Sequence, residues 1–581
     1  MEPAPVPMSF LEFLRVPRRV PRRVPGASTF AVSLDARTGL FAAIHVAALA
    51  VMLVSEEEPV AKLAFLLTWG ALNFVWLVLL RRPLISGALS LAMVAALILL
   101  SRLKHDIIWT TVNFVDVLIV DTDTIAFLLT IFPNLGTILA ACTLLALPVG
   151  YWIWRSDALR VGRFAAGGGA AACLSGLVGL GALVPLDTWQ VFLPGSHVSK
   201  FARSGVEAVS ELMRNGLFEA DSVASGRLAP ESGVACQTAG RRPHIVLVHD
   251  ESSFDIRAVP GVKVPKDYGP HFRSFDGKER RFLVESNGGS SWFAEYNVLA
   301  GLSSRSFGRF SYFLPRVAAG HVKRGLPHSL ARCGYRTYSL YPSLGAFMSA
   351  RGFHKSTGIE HFLDSRAMGA RGIQPDRFYY GTALDILTRQ GRDGPLFLFV
   401  YLAANHFPWT DRWRPELTPQ WHDLGNPPKV DEYLRRQSAS FRDYREFVAR
   451  LKRDFPTDSF LIVRYGDHQP ELTAYLLEPG ISDDEVAQRM ATFDRRYFTT
   501  YYSIDAINFR PVKTSSALET LDAPYLPLVV QELAGLALDP SFAEQKKIFE
   551  RCKGIFYACG GGAEARRFNR MLMDAGLIKG L

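Results

Sequence analysis

The chain has 581 residues, of which 49% are hydrophobic and 21% charged, and it carries a formal net charge of +10 at pH 7. Its mean hydropathy of +0.10 and the nearly charge-free blocks between residues 38 and 186 exclude a simple cytosolic protein, a disordered chain and a fibrous protein. The length predicts several domains, the basic residues form no single stripe of the kind that binds nucleic acid, and the six cysteines show no CxxC zinc spacing.

An arginine-rich segment opens the chain, over residues 1–37. Five of its arginines crowd together shortly before the first apolar block: Arg15, Arg18, Arg19, Arg22 and Arg23. At this position they indicate the cytoplasmic flank of a membrane span rather than an arm that binds nucleic acid.

Five apolar blocks follow, and each is long enough to cross a bilayer, which takes roughly 20 apolar residues. They are Thr38–Ser55, Leu63–Leu80, Leu84–Ser101, Thr124–Trp154 and Phe164–Leu186. The fourth block is overlong and contains Pro133, so part of it is expected to lie along the interface. The first block begins too late to be a cleavable signal. We therefore predict a five-helix transmembrane domain over residues 38–186.

The charges of the loops between these blocks alternate. The first and third loops are mainly acidic, the second and fourth are basic, and Arg102 and Lys104 dilute the third. The residues concerned are Glu56, Glu57 and Glu58; Arg81 and Arg82; Asp106, Asp116, Asp121 and Asp123; and Arg155, Arg160 and Arg163. The positive-inside rule then places the N-terminus in the cytoplasm and, after five crossings, everything beyond about Pro185 outside it.

A linker over residues 187–242 separates the apolar blocks from the rest. In it, apolar residues recur at helical spacing: Val206, Val209, Leu212, Met213 and Leu217. This spacing predicts an amphipathic juxtamembrane helix on the membrane surface, followed by a flexible stretch to about Arg242.

From His244 onward, short β-rich runs alternate with helical stretches. The runs are His244–His249, Phe282–Val284, Tyr335–Leu340, Leu396–Leu402, Phe460–Tyr465 and Tyr497–Tyr502. Strands separated by helices predict an α/β domain with a mainly parallel central sheet over residues 243–581. In such sheets, functional sites gather at the carboxyl ends of the strands.

Three segments near strand ends carry groups suited to chemistry. Glu251 follows the first strand and can bind a hard cation, although acids at such positions also cap helices. Asp467 and His468 follow the Phe460–Tyr465 run and offer an oxygen and an imidazole to a metal, although a structural turn is equally open. Between them, Gly288-Gly289-Ser290-Ser291 begins a helix, where a hydroxyl can act as a nucleophile or as a cap.

The order of these three segments resembles that of the alkaline phosphatase/sulfatase superfamily. Within it, the chain is most similar to the membrane-anchored group of lipoteichoic acid synthases, phosphoglycerol transferases and phosphoethanolamine transferases, in which five spans precede an extracytoplasmic catalytic domain. The resemblance covers essentially the whole chain, with its motifs in residues 244–470. Sulfatases proper need a Cys/Ser-x-Pro-x-Arg segment, which residues 290–294 lack, so hydrolysis of sulfate esters is not expected.

The resemblance implies a ligand set for one divalent metal ion: Glu251, Ser291, Asp467 and His468. Manganese and zinc are the ions used in this group, with magnesium as a third option. The family's nucleophile is usually a threonine four residues before a glutamate. Ser291 stands four residues before Glu295, so Ser291 rather than Ser290 is the expected nucleophile, with serine as a departure from the family pattern.

Four further residues are substrate-binding candidates. Asn405-His406-Phe407-Pro408 resembles a family segment whose histidine helps to hold the phosphate or a second metal. Arg351 resembles the family's arginine that binds the substrate phosphate, with a surface ion pair as the alternative. Tyr341 and Trp409 either line a head-group pocket or pack in the core.

The outer domain contains four cysteines: Cys236, Cys333, Cys552 and Cys559. An even count outside the cytoplasm permits two disulfides. The Cys552–Cys559 pair is the expected one because the two residues are close in sequence, and the second pair is left open.

The resemblance implies a bacterial multi-pass protein of the cytoplasmic (inner) membrane with a periplasmic catalytic domain. The implied reaction transfers a phosphoglycerol head group from a membrane phospholipid to an extracytoplasmic glycan or glycolipid, through a covalent phosphodiester on Ser291. Phosphoethanolamine transfer, release of the head group to water, and a non-catalytic membrane sensor are the alternatives. A sensor is disfavoured because all four proposed metal-site residues are present.

Overall fold

The computed structural model describes residues 36–108, 110–118, 122–132, 134–186, 190–223, 226–228, 236 and 242–580. The arginines predicted to flank the first span, from Arg15 to Arg23, lie outside the described residues. Most of the predicted flexible stretch before Arg242 lies outside them as well.

Apolar helices form the N-terminal part of the chain. They are α1 (Ala36–Val54), α2 (Pro59–Leu80), α3 (Pro83–Ile108), α4 (Thr122–Ile131), α5 (Leu135–Ser156) and α6 (Arg163–Leu183). In the described residues, α2, α3, α5 and α6 are long and apolar enough to cross a membrane, and α1 contributes a shorter apolar helix over Thr38–Val54. A membrane-embedded N-terminal region is therefore supported, whereas the count of five crossings depends on α1 and stays a prediction.

The overlong fourth block forms two helices rather than one. Its second part, α5, is long enough to span, while α4 has only 10 residues. The short helix lies against Phe347–Ser349 of the outer domain. The expectation that part of this block lies along the interface stays a prediction; Pro133 itself lies outside the described residues.

The predicted amphipathic helix is α7 (His197–Asn215). It packs against α2 and α6, and a Cβ on Gly181 of α6 would approach Val206 to 2.9 Å. Met213, on another side, is 83% exposed. Arg309 of the outer domain forms ion pairs with Glu207 and Glu211 on this helix. The helix therefore connects the two parts of the chain, and its position on a membrane surface stays a prediction.

One mixed sheet forms the centre of the outer domain in the described residues. Its strands are β1 (His244–Asp250), β2 (Arg280–Leu283), β3 (Arg336–Leu340), β4 (His361–Leu363), β5 (Leu396–Tyr401), β6 (Phe460–Gly466), β7 (Thr499–Ile507) and β8 (Thr520–Asp522). The order across the sheet is β4-β3-β5-β1-β6-β7-β2-β8. Strand β7 is antiparallel to both of its neighbours, and the other pairs are parallel, so the prediction of a mainly parallel sheet is confirmed.

Helices cover both faces of this sheet. In β1, Ile245 and Leu247 join one buried cluster, while Val246 and Val248 join the cluster on the opposite face. A strand buried on both faces reads as a continuous apolar run, as this one does. The helices of the outer domain are α8 (Trp292–Ala300), α9 (Leu314–Ala318), α10 (Leu326–Arg332), α11 (Ala350–Ser356), α12 (Asp376–Gln390), α13 (Pro428–Asp454), α14 (Asp483–Ala491), α15 (Leu526–Leu533), α16 (Pro540–Cys552) and α17 (Ala563–Asp574).

Two disulfides link the four outer-domain cysteines. Cys552 pairs with Cys559, as expected, and Cys236 pairs with Cys333, the pair that the sequence left open. Disulfides persist in oxidising compartments, which agrees with an extracytoplasmic outer domain.

We predict that residues 187–581 lie outside the cytoplasm, because an inside N-terminus followed by five crossings ends outside. Alkaline phosphatase fused after Glu57 or at the end of the outer domain should be active, and the same enzyme fused after Arg82 should be inactive. Activity after Arg82 combined with inactivity at the two other positions would reject this topology. Because α2, α3, α5 and α6 together make four crossings, Glu57 and the outer domain lie on the same side with or without α1. Only a reporter placed ahead of α1 and found outside the cytoplasm would remove the crossing by α1.

Candidate active site

The carboxyl ends of β1 and β6 lie side by side in the sheet. Their parallel register pairs Asp250 with Gly466, so the next residues along the two strands, Glu251 and Asp467, become neighbours. A Cβ on Gly466 would lie 1.7 Å from the carbonyl oxygen of Ser253. Only glycine fits this approach, and the glycine thereby allows Asp467 to turn in beneath the end of β1.

The turn before α8 brings the nucleophile candidate to the same place. Gly288 adopts a φ of 70°, and its N–H donates to the carbonyl oxygen of Gln469, which follows His468. Ser291 occupies the N-cap position of α8, yet its side chain accepts no helix N–H. Its hydroxyl instead donates to Oε2 of Glu251 at 3.1 Å and lies 3.3 Å from Nε2 of His468. Capping, the alternative left open by the sequence, is therefore not what this hydroxyl does.

The four residues of the predicted ligand set thus converge. Nε2 of His468 lies 3.5 Å from Oε1 of Glu251 and 3.4 Å from Oδ2 of Asp467. Glu251, Asp467 and His468 are each no more than 2% exposed, and Ser291 is half-buried. Two buried carboxylates that both lie this close to one imidazole nitrogen repel each other, so positive charge is needed between them.

A histidine that the sequence analysis did not assign holds Asp467. His249 is fully buried; its Nε2 donates to Oδ2 of Asp467 at 3.1 Å, and its Nδ1 accepts from the hydroxyl of Tyr465 at 2.7 Å. The other carboxylate oxygen, Oδ1, accepts from the backbone N–H groups of Ser252 and His468. The spacing in the sequence could have identified this histidine, because His249 stands two residues before Glu251 and therefore projects from the same side of the strand.

The donor set fits a divalent cation. Nδ1 of His468 lies 2.9 Å from the carbonyl oxygen of Gln469, which directs Nε2 toward Glu251, Asp467 and Ser291; histidines that bind metals are usually oriented in this way. Ligand atoms of His249, Glu251 and Asp467 also lie within 4.8 Å of one another. Carboxylate, imidazole and hydroxyl donors together suit manganese, zinc or magnesium.

The charges within this cluster are strongly coupled. Burial alone would raise the pKa of Glu251, but the hydrogen bond with His468 and the charges of His406 and His468 lower the pKa of that carboxyl below its usual value. Burial alone would lower the pKa of His468, but Asp467 and Glu251 raise the pKa of that imidazole to about 9. Without a metal ion, the proton on His468 therefore supplies the positive charge between the carboxylates.

Two of the substrate-binding candidates have different surroundings. His406 is half-buried and close enough to Glu251 to affect its charge; its Nδ1 lies 2.8 Å from the carbonyl oxygen of Phe407. Arg351 forms an ion pair with Asp364 and stacks on the ring of Phe362. The structure therefore contains the surface ion pair that was the alternative for Arg351, and its role in binding substrate stays a prediction.

The two aromatic candidates are both buried. Tyr341 lies edge-on to Tyr401 at 5.5 Å between ring centres, and the Tyr401 hydroxyl donates to Oε2 of Glu251 at 3.2 Å. Tyr341 is thus one ring away from the cluster. Trp409 is 4% exposed and packs on Tyr433 in a separate apolar cluster, the core packing that the sequence left as an alternative. A role in a head-group pocket stays a prediction for both.

A family model described as Sulfatase matches residues 287–493. The matched region begins just before Ser291 and includes His406, Asp467 and His468, whereas Glu251 lies ahead of it. Residues 287–493 therefore contain a sulfatase-family domain. No curated protein sequence matches the chain.

Several solved structures are similar in fold. The phosphoglycerol transferase GacH of Streptococcus pyogenes, in complex with sn-glycerol-1-phosphate, is 16% identical with a TM-score of 0.45, over 58% of this chain and 87% of that one. The lipoteichoic acid synthase LtaP of Listeria monocytogenes is 16% identical with a TM-score of 0.37, over 53% and 76%. The lipooligosaccharide phosphoethanolamine transferase EptA of Neisseria meningitidis, an integral membrane protein, is 13% identical with a TM-score of 0.41, over 82% and 95%.

We predict that His249→Gln weakens metal binding by about 10- to 100-fold, because residues that orient a metal-binding carboxylate typically contribute this much. Titration calorimetry of the full-length protein with Mn²⁺ and with Zn²⁺ measures the change. His244→Gln is the matched control, because His244 lies at the other end of β1 and accepts from the N–H of Leu396. Unchanged affinity for both ions in His249→Gln would refute the role of His249.

We also predict that binding of a divalent ion at pH 7 releases about one proton, because the ion must displace the proton on His468. The pKa of about 9 means that affinity rises with pH up to about that value and levels off above it. Calorimetry in buffers of different ionisation enthalpy measures the proton count. Equal binding heats in all buffers, or the same proton release in His468→Asn, would contradict this assignment.

Proposed function

We propose that the chain is a membrane-bound phosphotransferase that moves a phosphoglycerol head group from a membrane phospholipid to an extracytoplasmic glycan or glycolipid. The observation that carries the proposal is the Ser291 hydroxyl, which stands at a helix N-terminus without capping it and points into a cluster of two carboxylates and an imidazole. The sulfatase-family match, which includes Ser291, Asp467 and His468, supports ester chemistry at this hydroxyl. The apolar N-terminal helices support a lipid substrate.

Metal binding is part of the proposal. Glu251, Asp467 and His468, together with Ser291, would hold the ion, and His249 would fix Asp467 in place. A divalent ion bound there supplies positive charge that favours the ionised Ser291 hydroxyl and the crowded charges of a phosphoryl group. Its identity as manganese, zinc or magnesium belongs to the proposal as well.

In the first step, Oγ of Ser291 attacks the phosphorus of the phospholipid. A bond forms between Oγ and phosphorus as Oγ gives up its proton, the bond from phosphorus to the glycerol oxygen of diacylglycerol breaks, and this oxygen takes up a proton so that diacylglycerol leaves as the alcohol. The Ser291 proton is directed at Oε2 of Glu251, so the lone pairs of Oγ face away from that carboxylate. The N-terminus of α8 begins at the next residue, and its first N–H groups can stabilise the anionic phosphoryl oxygens.

In the second step, a hydroxyl of the acceptor attacks the same phosphorus. The acceptor oxygen forms the new bond, the bond to Oγ breaks, and Ser291 regains a proton. His406 would assist in both steps: its Nδ1 lies against the carbonyl oxygen of Phe407, so Nε2 would be the nitrogen that contacts phosphoryl oxygens.

Phosphoethanolamine transfer and head-group hydrolysis share the covalent intermediate and differ only in the group carried or in the final acceptor. All three reactions use Ser291 in the same way. The mass of the group on Ser291 separates the first two, and the requirement for an acceptor separates transfer from hydrolysis.

We predict that Ser291→Ala abolishes the covalent intermediate, because no other hydroxyl contacts both Glu251 and His468 in the described residues. The measurement is intact-protein mass spectrometry after incubation with vesicles of mixed phospholipids, in which the added mass identifies the head group. Ser291→Thr should retain the adduct because threonine supplies the same hydroxyl.

Ser290→Ala is the matched control for this experiment. Ser290 adopts a φ of 61° and makes no hydrogen bond to Glu251 or His468, so the adduct should still form. An adduct on Ser291→Ala that is lost in Ser290→Ala would move the nucleophile by one residue. Full lipid-dependent turnover in both variants would overturn covalent catalysis at this turn.

A further inference from the structure

A cavity of about 420 Å³ lies where the membrane part, the linker helix and the outer domain meet. Its volume is in the usual range of small-molecule sites. One wall comes from segments next to the apolar helices, including Val115, Leu186 and Val191, together with α7. The end of α14 and the residues after it also line the cavity, and α14 packs against the Gln190–Phe192 segment. Asn287, Gly289, Ser290 and Phe293 line it as well, so the cavity borders the turn that carries Ser291.

The carboxylates in this cavity are already engaged. Glu207 accepts from Arg309 and from the N–H of Leu186, and Glu211 pairs with the same arginine. Glu285 accepts from three neighbours, Asn297, Ser303 and Ser304, and Glu219 accepts from the hydroxyl of Tyr557. These acids hold protein groups together, and apolar atoms form most of the surface that remains for a ligand.

Arg305 is the exception among the charged residues of the wall. Its guanidinium lies over the ring of Phe493 at 3.8 Å and over that of Tyr557 at 4.3 Å. In the described part of the chain, no carboxylate lies within ion-pair distance of it. A cation held between two rings in an apolar cavity can donate to an ester or phosphate oxygen at the polar end of an amphiphile.

We infer that this cavity binds the glycerol-ester and acyl portion of the donor phospholipid, an inference that rests on the proposed function. Three observations select this occupant: the apolar surface, the Arg305 guanidinium that has no ion pair within the described residues, and the position between membrane-adjacent segments and the Ser291 turn. A lipid held there would extend from the bilayer side, with its ester region at Arg305 and its phosphate toward Ser291.

Photo-crosslinking tests the inference without requiring turnover. Full-length protein carrying Ser291→Ala is placed in vesicles of phosphatidylglycerol or of phosphatidylethanolamine, each containing a small share of the same lipid with a diazirine on one acyl chain. Crosslinked residues are then mapped by mass spectrometry. Labelling of Phe293, Tyr312, Met490 or Phe493 with at least one of the two lipids is expected. Labelling confined to α1–α6 with both lipids would overturn the inference.

Cavity-filling variants supply the second arm. Ala491→Trp, at the end of α14, and Val191→Trp, in the segment that packs against α14, should each lower labelling of the cavity by about tenfold, the effect of excluding roughly two methylene groups. Gln488→Trp is the matched control because Gln488 is exposed on the same helix and does not line the cavity. Thermal unfolding and metal affinity report whether each variant is folded. Undiminished labelling in both cavity variants would reject the site.

The two proposals can fail separately. If the cavity is labelled but the parent protein forms no adduct on Ser291, the lipid site stands and the phosphotransferase proposal fails. If the adduct forms while crosslinks avoid the cavity, the reaction stands and the lipid reaches Ser291 by another route.

Discussion

The candidate site depends on one close approach, that of Gly466 to the backbone of Ser253. The parallel pairing of β1 with β6 continues to Asp250 and Gly466. Because residue 466 has no side chain, the two strands stay in contact at a point where any Cβ would collide with the carbonyl oxygen of Ser253. Because of this contact, Asp467 turns under the end of β1, where the N–H of Ser252 and the ring of His249 bind it. Glu251 and His468 are then brought to the same place, because Glu251 immediately precedes Ser252 and His468 immediately follows Asp467.

This arrangement concentrates negative charge in a buried place and must balance it. The free-energy cost of burying two carboxylates is large unless each is hydrogen-bonded and paired with a cation. The chain meets the first requirement with backbone and side-chain donors to Asp467, and with Ser252, Tyr401 and Ser291 as donors to Glu251. It meets the second with a proton on His468, whose pKa is raised to about 9. A divalent ion, if it binds as proposed, would replace that proton without rearrangement of the donors, which are already oriented.

The long central strands and the order of the motifs could be predicted from sequence because each can be recognised within a short stretch of residues. The edge strands β4 and β8 were missed because a strand of three residues shows too little periodicity to be recognised. The fourth apolar block forms two helices, which shows that a long apolar run does not by itself indicate where one helix ends and the next begins. His249 was missed for a different reason: its role exists only through Tyr465 and Asp467, which are more than 200 residues away in sequence. Arg351 shows the converse, because its motif position was visible but its partner Asp364 was not.

The turn that carries Ser291 is held from two sides, and this connects the chemistry to the membrane part. On the sheet side, the N–H of Gly288 binds the segment after His468. On the other side, Glu285 binds Ser303 and Ser304, and the segment that follows them carries Arg309, which pairs with Glu207 on α7. The same helix packs on α2 and α6. A shift of the outer domain relative to the apolar helices would therefore strain the contacts that align Ser291 with Glu251. Because a lipid headgroup occupies a narrow depth at a bilayer surface, a nucleophile that must meet it gains from being fixed to the apolar helices in this way rather than carried on a free linker.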